Sequence, residues 1–412
     1  MRDLARFYQE IEKKITRLRM DLHNCLQLTF PENSFPSGYV GLSHPLTLIR
    51  LFPHPDFVLA STRTKIKNKL INETRKKGSN SLVAETIRMK FGQKVPAYRQ
   101  ENYWKQTHGL DISRDNITNW HIKAVQNALD PLGERLRVYL NQEEILHGDE
   151  TSYRVIESAK TDTYYWQFCT GKDSQHPIVY YHHDESRAGD VPKTFLKEFT
   201  GYLHCDGYSG YNAVESVRLV YCFAHVRRKF FEAIPKGKKN TDIPAAQAVK
   251  QLDKWFVLEK KWKDFSPEKR LSCRQQELRP LFIAFYEWMA TIDPVAKSKL
   301  DAAVQYACKL RSGFEPIFED GRLELTNNRA ERNIKELVIG RKNWLHSTSL
   351  EGARTSGIIL SVYKTAELNG LNPVKYLEFL FDKIPNLPVL SAETLDQLLP
   401  WNKDVQQHFS RN

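Results

Sequence analysis

The order of strand-like and helix-like segments between residues 143 and 235 restricts the fold of this chain more than any other feature. Four runs, ILHGD, YRVIES, TYYWQFCT and HPIVYYHH, are rich in β-branched and aromatic residues and have turn-forming residues between them. A helix-like segment, YLHCD, a short helix, RLVYCFAH and another helix follow. We interpret this order as three strands, helix, strand, helix, strand, helix. It is the order of the ribonuclease-H-like fold, an α/β fold with a mixed sheet and helices on both faces.

Two strand-like runs end in an aspartate, and a later helix carries a third acid. Asp149 ends ILHGD, Asp206 ends YLHCD, and Glu331 lies early in the helix predicted by TNNRAERNIKELVIGRK. Because sites in such sheets are built at strand ends, we expect the three carboxylates to converge. Clustered carboxylates repel one another, and divalent cations relieve that repulsion. The pattern predicts Mg²⁺ or Mn²⁺ ions held against a nucleic-acid phosphate.

Each acid also has a simpler interpretation. Asp149 and Asp206 are suited to turns that follow strands. Glu331 can pair with Lys335 one helical turn later. Spacing alone leaves these alternatives open.

Histidines accompany the acids. His147 and His204 each lie two residues before an aspartate, so a strand would place each histidine on the same face as its aspartate. Cys222 and His225 have a C-x-x-H spacing, which provides too few ligands for a zinc site. His147 and His204 are candidates to support the carboxylates or to handle protons. His225 is a candidate to order DNA or a carboxylate. Ordinary structural histidines are the alternative.

Basic residues flank the predicted site in sequence. Five of them are candidates to hold DNA phosphates: Arg227, Arg228, Lys229, Arg341 and Lys342. Arg332, next to Glu331, is a candidate to pair with an acid of the core or with the backbone. A solvated basic surface is the competing interpretation.

The rest of the chain is divided around this core. A helical segment, 81–140, contains a short turn with a glycine, which is typical of helix-turn-helix DNA-binding domains and also of simple three-helix bundles. Within a predicted helical insertion, Ser266-Pro267 and Asp293-Pro294 predict helix starts. The predicted segments are an atypical N-terminal region 1–80, the helical segment 81–140, the first part of the core 141–235, the insertion 236–320, the completion of the core 321–370 and a C-terminal helical tail 371–412.

Composition indicates the compartment and the kind of partner. The 412 residues include 61 Lys and Arg against 49 Asp and Glu, a net charge of +12 that favours a polyanionic partner. No apolar run reaches the length of about 18–20 residues that a membrane span needs. Six cysteines without a C-x-x-C pair are typical of a reduced, cytoplasmic protein.

Several long motifs resemble one known family. HGDETSYRV, CDGYSGYNAV, CFAHVRRKFFEA and NNRAERNIKELVIGRKNWL are similar to segments of the insertion sequence 66 transposases, which are DDE enzymes. The resemblance runs from about Ser81 to Pro385. By matching motifs, Asp149, Asp206 and Glu331 fall on the first, second and third catalytic acids.

The resemblance implies a ribonuclease-H-like catalytic core with Mg²⁺ (or Mn²⁺) that cleaves DNA and transfers strands. Its partners would be the DNA of the element ends and of the target, further copies of the chain, most simply as a dimer, and accessory proteins of the element. It also implies a prokaryotic, cytoplasmic protein associated with the nucleoid.

The sequence departs from that family near its N-terminus. Family members usually carry a coiled-coil-like helix and a zinc-ribbon-like segment there, whereas Cys25 is the only cysteine before Cys169. A catalytically impaired DNA-binding remnant of such a transposase is therefore an alternative. A nuclease of the same fold, which cuts without joining, is another.

Overall fold

A computed structural model describes residues 79–235 and 242–411. Cys25 and residues 1–78 of the atypical N-terminal region, with the expectations attached to them, lie outside these residues. The helices are α1 Asn80–Ile87, α2 Ala97–His108, α3 Arg114–Ala124, α4 Asp130–Asn141, α5 Asp190–Phe195, α6 Phe223–Glu232, α7 Pro244–Lys261, α8 Pro267–Cys273, α9 Arg279–Ala290, α10 Lys299–Lys309, α11 Asn328–Trp344, α12 Leu350–Leu368, α13 Pro373–Lys383, α14 Ala392–Asp396 and α15 Lys403–Phe409. The strands are β1 Ile145–Val155, β2 Thr163–Thr170, β3 Val179–Asp184, β4 Tyr202–Cys205, β5 Arg218–Tyr221 and β6 His346–Ser347.

The strands form one mixed sheet, which confirms the predicted mixed α/β class. Their order is β3-β2-β1-β4-β5, and the short β6 pairs with β1. β1, β2 and β3 are antiparallel neighbours, whereas β4 and β5 run parallel to β1. The buried strand residues, such as Leu146, Phe168 and Leu203, form the centre of the core.

The position of Asp149 differs from the prediction. ILHGD and YRVIES belong to one strand of 11 residues, because the pairing with β2 continues unbroken from Leu146 to Tyr153. Asp149 therefore lies in the middle of β1 and not at its end. The parallel pairing with β4, however, stops at His147 and His204. Asp149 thus lies just beyond the point where its neighbour on that side ends.

Helix α12 covers the outer edge of β3. The Ser361 and Thr365 hydroxyls accept hydrogen bonds from the backbone N–H groups of Tyr181 and Val179, at 2.8 and 3.1 Å. A Cβ at Gly357 would lie 2.6 Å from the Tyr181 carbonyl oxygen, so glycine permits the close approach of helix and strand. These contacts satisfy backbone groups that an edge strand would otherwise leave unpaired.

The predicted helical insertion consists of α7 to α10 and a 3₁₀ segment, Arg311–Phe318. Arg274 anchors it from a fully buried position. Its guanidinium pairs with Glu259 at 2.5 Å and donates to the carbonyl oxygens of Ile317 and Leu323 at 3.2 and 2.7 Å. A buried charge is tolerated here because carboxylate and carbonyl oxygens surround it.

One of the two predicted helix starts in the insertion is confirmed. Ser266 accepts a hydrogen bond from the N–H of Lys269 at the start of α8. The predicted start at Asp293-Pro294 is wrong, because α10 begins only at Lys299. Ser298 caps that helix instead, accepting from the N–H of Asp301 at 3.1 Å.

The described residues fall into two compact units: 79–83 with 97–120, and 84–96 with 121–235 and 242–411. In the first unit, the ring of Trp104 packs against Tyr103 and His108. α2 ends at Gly109, whose φ of +62° suits glycine, and Ser113 accepts from the N–H of Asn116 near the start of α3. The helices are as expected, and the helix-turn-helix assignment remains a prediction.

The C-terminal helices belong to the second unit. Arg135 of α4 forms a bidentate ion pair with Asp396 of α14, with both N–O distances at 2.7 Å. Tyr376 is fully buried and donates to the Leu398 carbonyl oxygen. Among residues 79–235 and 242–411, no helix combines the length and the apolar character that a membrane crossing requires.

Candidate metal centre

The three acids singled out in the sequence line one cleft of about 300 Å³. Asp149 comes from the middle of β1, Asp206 directly follows β4, and Glu331 lies in the first turn of α11. The parallel pairing of β1 with β4 brings the first two together. The cleft is also lined by His225, Arg228, Asn327, Ile334, Lys335 and Val338.

The surroundings of Asp149 disfavour its ionised form. Burial, reinforced by the charges of Glu150, Asp206 and Glu331, raises the pKa of the Asp149 carboxyl to about 8. One hydrogen bond, from the N–H of Glu150 to Oδ1 at 2.9 Å, acts in the opposite direction. A cation in the cleft would remove much of the cost of ionising this carboxyl.

Asp206 is held by the turn that follows β4. Its Oδ1 accepts a hydrogen bond from the N–H of Tyr208 at 2.8 Å. A Cβ on Gly207 would lie 2.6 Å from the Tyr306 hydroxyl of α10, so the insertion packs closely over this turn. The insertion therefore contributes to the position of Asp206.

Glu331 faces His225 across the cleft. Its Oε1 lies 3.8 Å from His225 Nδ1. Both atoms are buried, and within the described part of the chain neither has a hydrogen-bond partner. Oxygen atoms of this kind are the ligands that Mg²⁺ and Mn²⁺ take, so Asp149, Asp206 and Glu331 fit such a cation.

A fourth acid next to the cleft already has partners. Glu150 accepts hydrogen bonds from Arg187 at 2.7 Å and from the Tyr211 hydroxyl at 2.8 Å. Its side chain is 3% exposed, so solvent does not compete for these bonds. Glu150 therefore differs from the three acids lining the cleft, although it is adjacent to Asp149 in sequence.

Asn327 connects the parts of this site, and the motif that begins with it gives no sign of this role. Its side chain hydrogen-bonds with His147 Nδ1 at 3.0 Å and donates to the Gly148 carbonyl oxygen at 2.7 Å. Its backbone N–H donates to Cys222 Sγ at 3.2 Å, and its carbonyl oxygen accepts from the N–H of Glu331. An asparagine before a helix predicts a local cap. No spacing rule predicts a bond to a residue 180 positions earlier.

His147 and His204 lie behind the cleft. Both are fully buried, and their rings stack at 4.2 Å with an angle of 8° between them. His147 Nε2 lies 3.2 Å from Glu324 Oε2. Burial, together with the neighbouring His147, holds the pKa of His204 well below its usual range. Neither ring lines the cleft, and His147 reaches the site through its hydrogen bond with Asn327.

Two basic side chains bring their charge to the cleft. Arg228 and Lys335 line it, and both are exposed. Within the described residues neither side chain forms a salt bridge, and Lys335 does not pair with Glu331. Both charges are therefore available to a phosphate. The sequence indicates Lys335 only as a helical partner of Glu331.

The other basic candidates do not line the cleft. Arg227 pairs with Asp253 at 2.5 Å, and Lys229 lies 5.2 Å from the centre of the Tyr306 ring. Arg341 donates to Thr151 Oγ1 at 2.9 Å and to the Ser152 carbonyl oxygen. Lys342 and Arg332 are exposed. In the described part of the chain, Arg332 forms no salt bridge with an acid of the core. Of the five predicted phosphate-binding residues, Arg228 alone lines the cleft.

Comparisons with known proteins agree with the motifs. A family model described as "Transposase IS66 family" matches residues 77–355, and one described as "IS66 C-terminal element" matches residues 361–401. Three similar proteins of Sinorhizobium fredii are each named as uncharacterized. y4hP is 31% identical over 345 residues, covering 78% of this chain and 61% of that protein. y4qI is 28% identical over 344 residues, covering 78% of this chain and 62% of that protein. y4jD is 27% identical over 351 residues, covering 80% of this chain and 67% of that protein. The chain thus spans about three fifths of the length of the first two relatives.

Proposed function

Because the chain belongs to the IS66 family of transposases, we propose that it cleaves DNA at the ends of an insertion sequence and joins the freed ends to target DNA. The observation that carries the proposal is the meeting of Asp149, Asp206 and Glu331 in one cleft. Three carboxylates from distant parts of the chain are a costly arrangement without a cation to share.

The sheet supports a ribonuclease-H-like core for this activity. The sheet has three antiparallel strands followed by two parallel strands, in the order β3-β2-β1-β4-β5. Asp149 lies on β1, and Asp206 directly follows the neighbouring β4. α11 then supplies Glu331 after the helical insertion. Ligand sites in open mixed sheets lie where neighbouring strands end, as β4 does here.

Asp149, Asp206 and Glu331 would hold Mg²⁺ or Mn²⁺. When bound, a pair of such ions activates the attacking water or hydroxyl and stabilises the leaving oxygen of a phosphodiester. Arg228 and Lys335 would hold the phosphate in the cleft through their exposed charges. Asn327 keeps the backbone next to Asp149 in place, and buried His147 supports Asn327.

DNA at the element ends and at the target is the proposed partner, and the net charge of +12 supports a polyanion. α2 and α3 are the proposed helix-turn-helix segment for DNA recognition. A homo-oligomer, most simply a dimer, would bring two ends to two active sites. Accessory proteins of the element and association with the nucleoid belong to the same proposal.

Substitution of one carboxylate tests the activity. Asp149→Asn should abolish Mg²⁺-dependent cleavage of element-end DNA and leave DNA binding largely intact. Asp173→Asn, at an exposed aspartate in the turn after β2, is the matched control and should cleave normally. A fully active Asp149→Asn variant would refute the role of Asp149.

Two outcomes for the unmodified protein would contradict the proposal. Binding of end DNA without nicking, in the presence of Mg²⁺ or Mn²⁺, would select the catalytically impaired remnant. Cleavage without strand transfer, measured with a labelled end and a plasmid target, would select a nuclease of the same fold.

A further inference from the structure

Two buried polar atoms in the cleft face each other without touching. His225 Nδ1 and Glu331 Oε1 are 3.8 Å apart, beyond hydrogen-bonding distance. Within the described residues, neither atom has another hydrogen-bond partner. Buried polar groups that lack partners are costly and rare in folded proteins, so such a pair calls for a third species between them.

The separation of these atoms suits two ligands of one cation. With metal–ligand bonds of about 2.1 Å, two ligand atoms lie about 3.0 Å apart at right angles and about 4.2 Å apart on opposite sides of the ion. The observed 3.8 Å falls between these limits.

The ring of His225 can form such a bond. An unprotonated imidazole has one ring nitrogen with a free lone pair, and the Nδ1 atom that faces Glu331 has no hydrogen-bond partner within the described residues. His225 is 22% exposed, so solvent reaches the ring from one side.

The nearby Cys222 does not complete a zinc-type site. Its sulfur lies within 4.8 Å of the ligand atoms of His225 and Glu331. However, Sγ already accepts a hydrogen bond from the N–H of Asn327 at 3.2 Å. Soft thiolate ligands select metals such as Zn²⁺, whereas carboxylates suit Mg²⁺ and Mn²⁺.

We propose that His225 is a nitrogen ligand of the cation that Glu331 binds, so that the centre combines carboxylate and imidazole ligands. This inference rests on the proposed metal centre and adds a ligand of a different kind. Mg²⁺ takes oxygen ligands almost exclusively, whereas Mn²⁺ also accepts imidazole. The site should therefore prefer Mn²⁺ to Mg²⁺, and His225 should be the source of that preference.

Pulsed electron paramagnetic resonance of the full chain with Mn²⁺ tests the bond directly and requires no activity. Bound Mn²⁺ should show echo modulation from a directly bonded nitrogen, and ¹⁵N-labelling of the histidines in the unmodified protein should change the modulation pattern. The His225→Gln variant should lose the nitrogen modulation and bind Mn²⁺ at least about tenfold more weakly, since loss of an outer-shell partner alone has effects of that size. His346→Gln, at an exposed histidine, should retain both properties.

The outcomes separate this inference from the proposed function. Bound Mn²⁺ without nitrogen modulation would overturn the role of His225 and leave the three-carboxylate centre standing. The Glu331→Gln variant shows whether Glu331 binds the ion. If that variant loses Mn²⁺ binding while the unmodified protein shows no nitrogen modulation, Glu331 is a ligand and His225 is not. Failure of the unmodified protein to bind Mn²⁺ at all would overturn both.

Discussion

The side-chain amide of Asn327 donates a hydrogen bond to the carbonyl oxygen of Gly148 at 2.7 Å. Gly148 precedes Asp149, and Asn327 precedes the helix that carries Glu331. This one side chain therefore joins the strand of the first acid to the helix of the third. Because it also hydrogen-bonds with His147, its loss would leave more than one buried group without a partner.

Asn327→Ala should destabilise the protein by about 1–3 kcal/mol, the usual cost of leaving a buried polar group unsatisfied. It should also reduce divalent-dependent cleavage more than DNA binding, because the backbone next to Asp149 loses its support. Chemical denaturation and a cleavage assay measure the two effects. Asn343→Ala, near the other end of the same helix, is the control, because the exposed amide of Asn343 donates to the Ile339 carbonyl oxygen of its own helix. Equal effects of the two substitutions would contradict the role of Asn327.

The carboxyl of Asp149 should make stability depend on pH when divalent cations are absent. Its pKa rises from 3.8 to about 8 on folding, because of burial and of the nearby Glu150, Asp206 and Glu331. The folded state thus holds the proton more tightly. The resulting stability is fully present below about pH 4 and is lost as the pH rises through about 8.

Asp149→Asn removes this ionisation, so at pH 8 without divalent cations the variant should unfold at a higher temperature than the unmodified protein. The difference is on the order of a few kcal/mol and should shrink toward about pH 5. Mn²⁺ should stabilise the unmodified protein more at pH 8 than at pH 6, and should have little effect on the variant. Thermal unfolding of both proteins between about pH 5 and pH 8, with and without Mn²⁺, measures these differences. Asp173→Asn is the control. A variant that is less stable than the unmodified protein at pH 8 would contradict this prediction.

Arg228 and Lys335 should contribute to DNA binding through charge alone. Each phosphate contact that is removed lowers the slope of log affinity against log salt by about 1, so the double variant Arg228→Ala and Lys335→Ala should lower it by about 2. Titrations at several salt concentrations measure this slope. Lys383→Ala, at an exposed lysine of α13, should leave it unchanged. An unaltered slope in the double variant would show that the cleft does not hold DNA phosphates.

The alternation of segments was sufficient to predict the mixed sheet and the helical insertion, because strand and helix periodicities differ. It was not sufficient to place Asp149 within its strand. Gly148 and Asp149 look like the start of a turn, yet the pairing with β2 carries the strand through them. Tertiary hydrogen bonding overrides local turn preference at this point.

The sequence also could not reveal which side chains act across the site. Asn327 looks like a helix cap, Lys335 like a helical partner of Glu331, and Asp293-Pro294 like a helix start. Only the packing of β1 against α11 turns Asn327 toward Gly148. The helix predicted to start at Asp293-Pro294 begins only at Lys299, because Ser298 caps it.

Anomalous X-ray scattering from a crystal soaked with Mn²⁺ tests the central claim most directly, because it locates the ions without any assay of activity. We predict anomalous peaks in the cleft, within bonding distance of carboxylate oxygens of Asp149, Asp206 and Glu331. A well-ordered cleft without a peak, or peaks bound only at other carboxylates, would contradict a shared metal centre and with it the proposed chemistry.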